Sequence, residues 1–351
     1  MIVNPPYPLS PKKKPLRDNV NLKEEEVLDQ TLRPKQWEDF IGQERIKRNI
    51  RIILQAAKER KEAVDHLLFC GGPGLGKSTL SRLVAQSIDS NIRIITGPAI
   101  QRPGDLAAIL TSLSERDVLF IDEIHRLNKT CEEIIYPAME DFKLQIITGT
   151  GPMARTLEID LPPFTLIGAT TRIGLLTSPL RSRFGATFQV DFYSGDDIQK
   201  IIKRSAGILS IAIDEEAITM ISQCSRFTPR IANRLLKRIR DFAQVEGMEK
   251  INKEITELGL SALEIDEMGL EPPDRKILEM LIRKFNGGPV GLQALAASAN
   301  EEQDNILEVY EPYLLQLGLI VRSPKGRMAT QKAYEHLRIN PKSKTQNTKL
   351  L

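Results

Sequence analysis

The stretch "GGPGLGKS", Gly71–Ser78, decides how the rest of the chain is read. It fits G-x-x-x-x-G-K-[ST], and its flanks are those the motif requires: the apolar run "HLLFC" ends at Cys70 just before it, and the amphipathic stretch "STLSRLVAQS" opens at Ser78. This spacing predicts a strand, a glycine-rich loop and a helix N-terminus whose backbone N–H groups cradle phosphate oxygens. Lys77 would reach the β- and γ-phosphates of a nucleotide, and Ser78 would hold Mg²⁺ beside them.

Two further runs have the same apolar character. "VLFIDEIH" places Asp122 and Glu123 where a buried strand ends, and in an open parallel sheet ligands bind outside the carboxyl ends of the strands. Asp122 would support Mg²⁺ and Glu123 would polarise an attacking water. "TLIGATT" ends in Thr170 and Thr171, whose hydroxyls can hydrogen-bond that water or the γ-phosphate; the pattern alone equally fits plain strand-end threonines. "SPLRSRFG", Ser178–Gly185, carries Arg181 and Arg183 with no nearby acid. Its proline and glycine predict a loop ending in a short strand.

Strand and helix patterns alternate over residues 32–195, which predicts an α/β domain with a parallel sheet. Within it, "EDFKLQIITGTGP" and "ARTLEIDLPPFT" alternate around a Gly-Thr-Gly turn and predict an inserted β-hairpin. Residues 196–268 read as a small helical domain in which Thr228 is an N-cap and Pro229 the first helical residue. Residues 269–338 carry three helical patterns and then "LGLIVRSPKGRMAT", a hairpin around Pro324-Lys325-Gly326; together these outline a winged helix. Residues 1–31, rich in proline and lysine, and the basic stretch 339–351 are expected to be disordered.

Composition narrows the class. A chain of 351 residues holds two or three domains, and 41% hydrophobic with 27% charged residues is an ordinary globular balance. A net charge of +3 neither requires nor excludes a nucleic-acid partner, so that question rests on local clusters. Cys70, Cys131 and Cys224 have no paired spacing, nor do His66, His125 and His336, so neither a disulfide framework nor a zinc site is expected. The absence of a long apolar run and of an apolar leader points to a cytoplasmic protein without a membrane span.

In this order, the phosphate loop, the acidic pair, the strand-end threonine, "SPLRSRFG" and a helical segment with "TPR" resemble an AAA+ ATPase. The strings "TGPAIQRPGDLAAIL", "LFIDEIHRLN", "YPAMEDF", "LPPFTLIGATTR", "RIANRLLKR", "GGPVGLQALA" and "VYEPYLLQLG" are similar to the RuvB family within it, bacterial Holliday-junction branch-migration motors. The likeness covers about Leu32 to Leu337.

The resemblance implies an AAA+ P-loop domain, a helical lid and a C-terminal winged helix. It implies an ATP-driven homohexameric ring that pulls duplex DNA at four-way junctions. RuvA would dock on the inserted hairpin, with the RuvC resolvase in a larger complex. It assigns Leu32 and Arg33 to the adenine pocket, and Gly74, Gly76, Lys77, Ser78 and Thr79 to the phosphate loop. Glu140, Asp141 and Phe142 become a nucleotide-side segment, and Tyr193 a contact from the lid side. Thr171, ahead of Thr170, takes the sensor-1 position and Arg230 the sensor-2 position. Arg183, supported by Arg181, becomes a finger aimed at the γ-phosphate of the neighbouring subunit. Arg322 and Arg327 become DNA contacts, although the same charges also fit a solvated hairpin.

Three positions depart from the family pattern: Gly72 for proline, which should loosen the loop, Ser78 for threonine, and Phe227 for the glycine before "TPR". Two other readings share much of this sequence: a clamp-loader or helicase-loader ATPase, and a nucleotide-switched winged-helix DNA-binding regulator.

Overall fold

The computed structural model describes residues 30–148 and 155–339. Residues 1–29 and 340–351, expected to be disordered, and the Gly149-Thr150-Gly151 turn lie outside the described residues.

A strand covered on both faces has no polar side, which is why the apolar runs lack alternation. They form the middle of one parallel sheet ordered β2-β3-β6-β1-β7, from β1 (Leu67–Cys70), β2 (Ile92–Thr96), β3 (Val118–Asp122), β6 (Thr165–Thr170) and β7 (Ala186–Gln189). β1 and β6 are buried throughout, and β3 is buried except at Asp122. Leu67 and Phe69 point to the face covered by α1 (Glu44–Arg60) and α2 (Lys77–Ser87). Leu68 and Cys70 point to the face covered by α3 (Pro103–Thr111) and α4 (Lys129–Glu140). The predicted hairpin is a separate antiparallel ribbon of β4 (Lys143–Thr148) and β5 (Arg155–Asp160), in register from Lys143↔Asp160 to Thr148↔Arg155.

"SPLRSRFG" is not a loop. Ser178–Ser182 form a short helix, α5, with the Thr177 hydroxyl accepting from Leu180 N and Pro179 in the first turn. Proline in a first helical turn sacrifices no hydrogen bond, so here it starts a helix rather than breaking one.

The helical domain holds α6 (Gly195–Ile208), α7 (Glu215–Cys224), α8 (Pro229–Val245) and α9 (Lys253–Ala262). A two-residue parallel pair, β8 (Ala212–Ile213) and β9 (Lys250–Ile251), joins them. Its core is continuous with the α1/α2 side of the sheet. Thr228 occupies the N-cap of α8, but its hydroxyl donates to Ser225 O at 3.2 Å instead of accepting from the helix. The two residues before it, Arg226 and Phe227, have φ of 52° and 54°. A left-handed non-glycine residue costs about 1–2 kcal/mol, which explains the family's glycine at the second of them. Phe227 offsets part of that cost through its ring, which packs on Tyr313 (6.2 Å between centroids), while its carbonyl accepts from Tyr193 N at 3.0 Å as a glycine's would.

The winged helix has its own core. It comprises α10 (Pro272–Glu279) continued by a π turn Met280–Lys284, then α11 (Leu292–Ala299), α12 (Gln303–Asn305), a second π turn Ile306–Tyr310, and α13 (Glu311–Gln316). The wing β10 (Ile320–Ser323)/β11 (Gly326–Ala329) and α14 (Gln331–His336) complete it. Arg226 fastens it to the helical domain through a buried ion pair with Asp274 and a stack over Tyr313 at 5.2 Å.

His66 ties three elements together just before β1. Leu166 N donates to Nδ1 at 2.9 Å and Nε2 faces Met139 O at 2.9 Å, so the ring is neutral with its proton on Nε2. Burial holds its pKa below the ordinary histidine value, against the Met139 carbonyl and Asp65. With the folded-state pKa depressed, the unfolded chain takes up the proton first. Stability is therefore full above about pH 6.5 and falls as pH drops through the folded value. Thermal melts between about pH 7.5 and about pH 5 should show Tm declining more steeply in the parent than in His66→Gln; equal slopes would contradict the assignment.

Candidate functional site

The phosphate loop is shaped by two glycines that nothing else could replace. At Gly71 (φ 151°) a Cβ would lie 2.4 Å from Val190 O, and at Gly74 (φ 76°) it would lie 2.9 Å from Arg230 Cβ. The second contact sets Arg230, exposed at the start of α8, directly over the loop. Gly72 is under no such constraint. Its Cβ would meet Leu75 Cδ1 at an ordinary 3.5 Å, so it loosens the loop only through backbone entropy. Gly76 (φ 98°) is the N-cap of α2 and no side chain caps the helix, which leaves first-turn N–H groups aimed outward beside Ser78 and Thr79. Tyr193, buried, donates from its hydroxyl to Leu75 O at 3.1 Å and so steadies the loop from the lid side.

Lys77 is buried, and its Nζ donates to Gly71 O (2.8 Å) and Gly72 O (2.7 Å). Burial pushes its pKa below the ordinary lysine value, with Asp122 the first of the neighbouring charges that oppose this and Glu123 another. Asp122 closes β3 and accepts from Glu123 N at 3.0 Å; Glu123, in the left-handed region at φ 49°, pairs with Arg126 at 3.2 Å. Thr170 is fully buried and spends its hydroxyl on His125 Nδ1 (2.9 Å) and Arg172 N (3.0 Å). Thr171, half-buried, donates to Glu308 of the winged helix at 3.2 Å. The two hydroxyls are thus both engaged, that of Thr170 within its own domain and that of Thr171 across to the winged helix.

Leu32 is buried, and its carbonyl accepts from Arg204 of α6 at 2.9 Å, where lid meets sheet domain. Arg33 lines a cavity of about 660 Å³ with Arg82, Gln86 and Asp89, at the end of α2 remote from Lys77.

Arg183 is not brought to the loop. Gly185 N donates to His66 O at 2.9 Å, so "SRFG" sits where β1 begins, whereas Gly71 follows where β1 ends. Four strand residues separate them by about 13 Å at 3.3 Å per residue. Arg183 pairs with Glu140 (Nη2 donates to Oε2 at 3.1 Å, and Nε lies 3.1 Å from Oε1 without a hydrogen bond), donates to Pro179 O at 2.7 Å and lies 4.5 Å over the Tyr136 ring. Arg181 is exposed beside it. Glu140, Asp141 and Phe142 share this edge, not the phosphate loop. Phe142 turns inward against Phe164 (5.9 Å) and His66 (6.4 Å), while Glu140 and Asp141 stay exposed.

On the wing, Arg322 and Arg327 are directly opposed across the two strands. Both bind Glu311, which is 1% exposed: Arg322 Nε at 2.7 Å, Arg327 Nε at 3.0 Å and Nη2 at 3.1 Å. Burial alone would raise the Glu311 pKa, but the hydrogen bonds from the two arginines outweigh it and hold it below the usual glutamate value. Sequence reasoning found no acid within the hairpin and missed this one on α13. The two side chains are therefore unequal, Arg322 being 55% exposed and Arg327 only 16%.

Comparison with known proteins covers nearly the whole described chain. Family models described as the Holliday junction DNA helicase RuvB P-loop domain, the RuvB AAA lid domain and the RuvB C-terminal winged helix domain match residues 32–190, 193–266 and 267–338. The Holliday junction branch migration complex subunit RuvB of Dehalococcoides mccartyi (strain CBDB1) is 55% identical over 312 residues, 89% of this chain and 89% of that protein. Its counterpart from Kosmotoga olearia is 55% identical over 315 residues, 90% and 92% of the two chains. The solved structure of the Thermotoga maritima RuvB Holliday junction branch migration motor superposes with a TM-score of 0.82 at 50% identity, covering 88% of this chain and 99% of that one.

Proposed function

Since this chain belongs to the RuvB family of AAA+ P-loop ATPases, and is accordingly a Holliday junction branch-migration motor, we propose that its nucleotide site is completed only between subunits. The observation that carries this is the placement of Arg183 at the starting end of the strands, with Lys77 at their finishing end. One surface must then meet a different surface of the next copy, and such head-to-tail contacts make a ring where their rotation closes. A homohexamer fits that geometry. Glu140 and Asp141, on the finger edge, face the neighbour's nucleotide rather than their own.

Within one subunit, the N–H groups of the loop and of α2 hold the phosphates and Lys77 leaves its two carbonyl partners for them. Among the described residues no group of three or more His, Cys, Asp or Glu could cage a metal. Ser78 and Asp122 instead fit Mg²⁺, which takes one or two protein oxygens and completes its shell with phosphate and water; bound there it neutralises charge on the phosphates. Glu123 polarises the attacking water, Thr171 hydrogen-bonds it or the γ-phosphate, and Arg230 reports that phosphate to the lid. Leu32 and Arg33 flank the base, Tyr193 the lid side. No helix among the described residues is long and apolar enough to cross a membrane, and we place the motor in the cytoplasm.

The DNA partner is duplex at a four-way junction, gripped through backbone phosphates by the wing. RuvA docks on the β4/β5 ribbon, which stands apart from the sheet, and RuvC joins a larger assembly. The Glu311 pairing refines the wing expectation. Arg322→Ala should weaken duplex binding evenly across sequences and lower the salt slope by about one unit, with the smaller loss of Tm because it removes one hydrogen bond to Glu311. Arg327→Ala should lower Tm further, because it removes two of the three hydrogen bonds that hold the buried Glu311 and deletes the more buried of the two side chains. Equal Tm loss in both variants would deny the distinction.

Movement of a synthetic four-way junction, with and without RuvA, tests the motor. ATP-dependent branch migration that continues over many turnovers is expected. ATP turnover confined to a single loading event would favour a clamp loader, and a sequence-specific footprint with little turnover a regulator.

A further inference from the structure

The hydroxyl assigned above to the γ-phosphate is held by a carboxylate from another domain. Thr171 Oγ1 donates to Glu308 Oε2 at 3.2 Å, across 137 residues of chain. Oε1 of the same carboxylate lies 2.5 Å from Arg172 Nη2, which Asp304 also approaches, at 2.9 Å. Asp304 is 70% exposed, so its pairing contributes little. Glu308 and Arg172 are 26% and 23% exposed, so their ion pair is the better shielded of the two, although Nη2 makes no aligned hydrogen bond there. Glu308 lines one cavity together with Glu123, His125, Arg126 and Arg172, which places its carboxylate beside the end of β3.

Glu308 sits in the π turn Ile306–Tyr310, a distortion that often re-aims side chains at functional positions. Three residues on, at the start of α13, Glu311 holds both wing arginines. One short helical stretch therefore touches the nucleotide site with one carboxylate and the wing with the other.

A hydroxyl has a single proton. Thr171 can donate it to Glu308 or to a phosphate oxygen or attacking water, but not to both. A γ-phosphate brought to Thr171 would also meet the like charge of Glu308. We propose that Glu308 is a positioning residue that latches Thr171 and Arg172, so that docking of the winged helix and engagement of the γ-phosphate exclude one another. Coupling of this kind is reciprocal: ATP loosens the winged helix, and DNA pulling on the wing frees Thr171. The proposal rests on the assignment of Thr171 to the γ-phosphate.

The test is Glu308→Ala in the full chain, with steady-state ATPase measured with and without duplex DNA. The latch predicts a KM for ATP lower by about fivefold or more, a higher DNA-free kcat, and stimulation by DNA reduced toward one. Glu308→Gln keeps the shape, loses the charge and should move KM in the same direction, which covers early melting of the alanine variant. In a Thr171→Val background, where hydrolysis is expected to be lost, equilibrium binding of a fluorescent ATP analogue replaces KM, and Glu308→Ala should raise affinity by less than it does beside an intact Thr171. Unchanged KM and unchanged DNA stimulation in a variant of parental Tm would overturn the latch. If Thr171→Val alone keeps parental hydrolysis, the assignment of Thr171 fails instead, so the two failures are told apart.

Discussion

Glu123→Gln is expected to bind ATP with parental affinity and to hydrolyse it on the order of 10²–10⁴-fold more slowly, the range a positioned general base supplies. Glu123 follows β3 in a left-handed conformation, anchored by its own N–H on Asp122 Oδ1. Its carboxylate is 39% exposed at the mouth of the site and pairs with Arg126, so it is not part of the phosphate cradle. Glutamine keeps the volume and the backbone anchor but cannot accept the proton of an attacking water. Lys77→Ala should do the opposite. It removes the buried ammonium and leaves the carbonyls of Gly71 and Gly72 facing the loop, so binding itself is lost. Equilibrium binding of a fluorescent ATP analogue and single-turnover hydrolysis separate the two effects. A Glu123→Gln protein that turns over at the parental rate would remove Glu123 from the chemistry.

The parts of this molecule that were legible in the sequence are those whose physics is local. A fully buried parallel strand announces itself as an unbroken apolar run, and a phosphate loop as glycines at fixed offsets from a lysine. "SPLRSRFG" misled because proline has two meanings, breaker in mid-helix and starter in the first turn, and only Thr177 one residue upstream distinguishes them. Thr228 occupies a cap position without capping, its hydroxyl turned back toward Ser225 O. The π turns insert residues that shift a helical period without leaving a compositional mark. The contacts that decide electrostatics were beyond reach altogether. Glu140 lies 43 residues before Arg183, Glu308 lies 137 residues after Thr171, and Glu311 precedes its arginines by 11 and 16. Residue types at such separations carry no pairing signal in a single sequence.

Arg183→Ala is expected to leave ATP binding near parental and to reduce hydrolysis on the order of 10³–10⁵-fold, as for arginines supplied in trans to a γ-phosphate. The fold gives the reason. Arg183 is fixed to the starting end of β1, and the phosphate loop of its own chain opens from the finishing end. Its present partners, Glu140 and the face of Tyr136, hold the guanidinium ready at the edge, and Glu140 must release it when a phosphate arrives. Arg183→Lys should not restore the rate, because an ammonium cannot reproduce the planar fork that grips two phosphate oxygens. Mixing Arg183→Ala with Lys77→Ala discriminates between cis and trans. Each is inactive alone, one for want of a finger and the other for want of a loop. In mixed rings, the intact loop of the first meets the intact finger of the second at some interfaces, and hydrolysis should return there. If mixed rings form and no activity returns, the arginine does not act across the interface. The ring would then be an assembly of complete sites rather than the means of completing them.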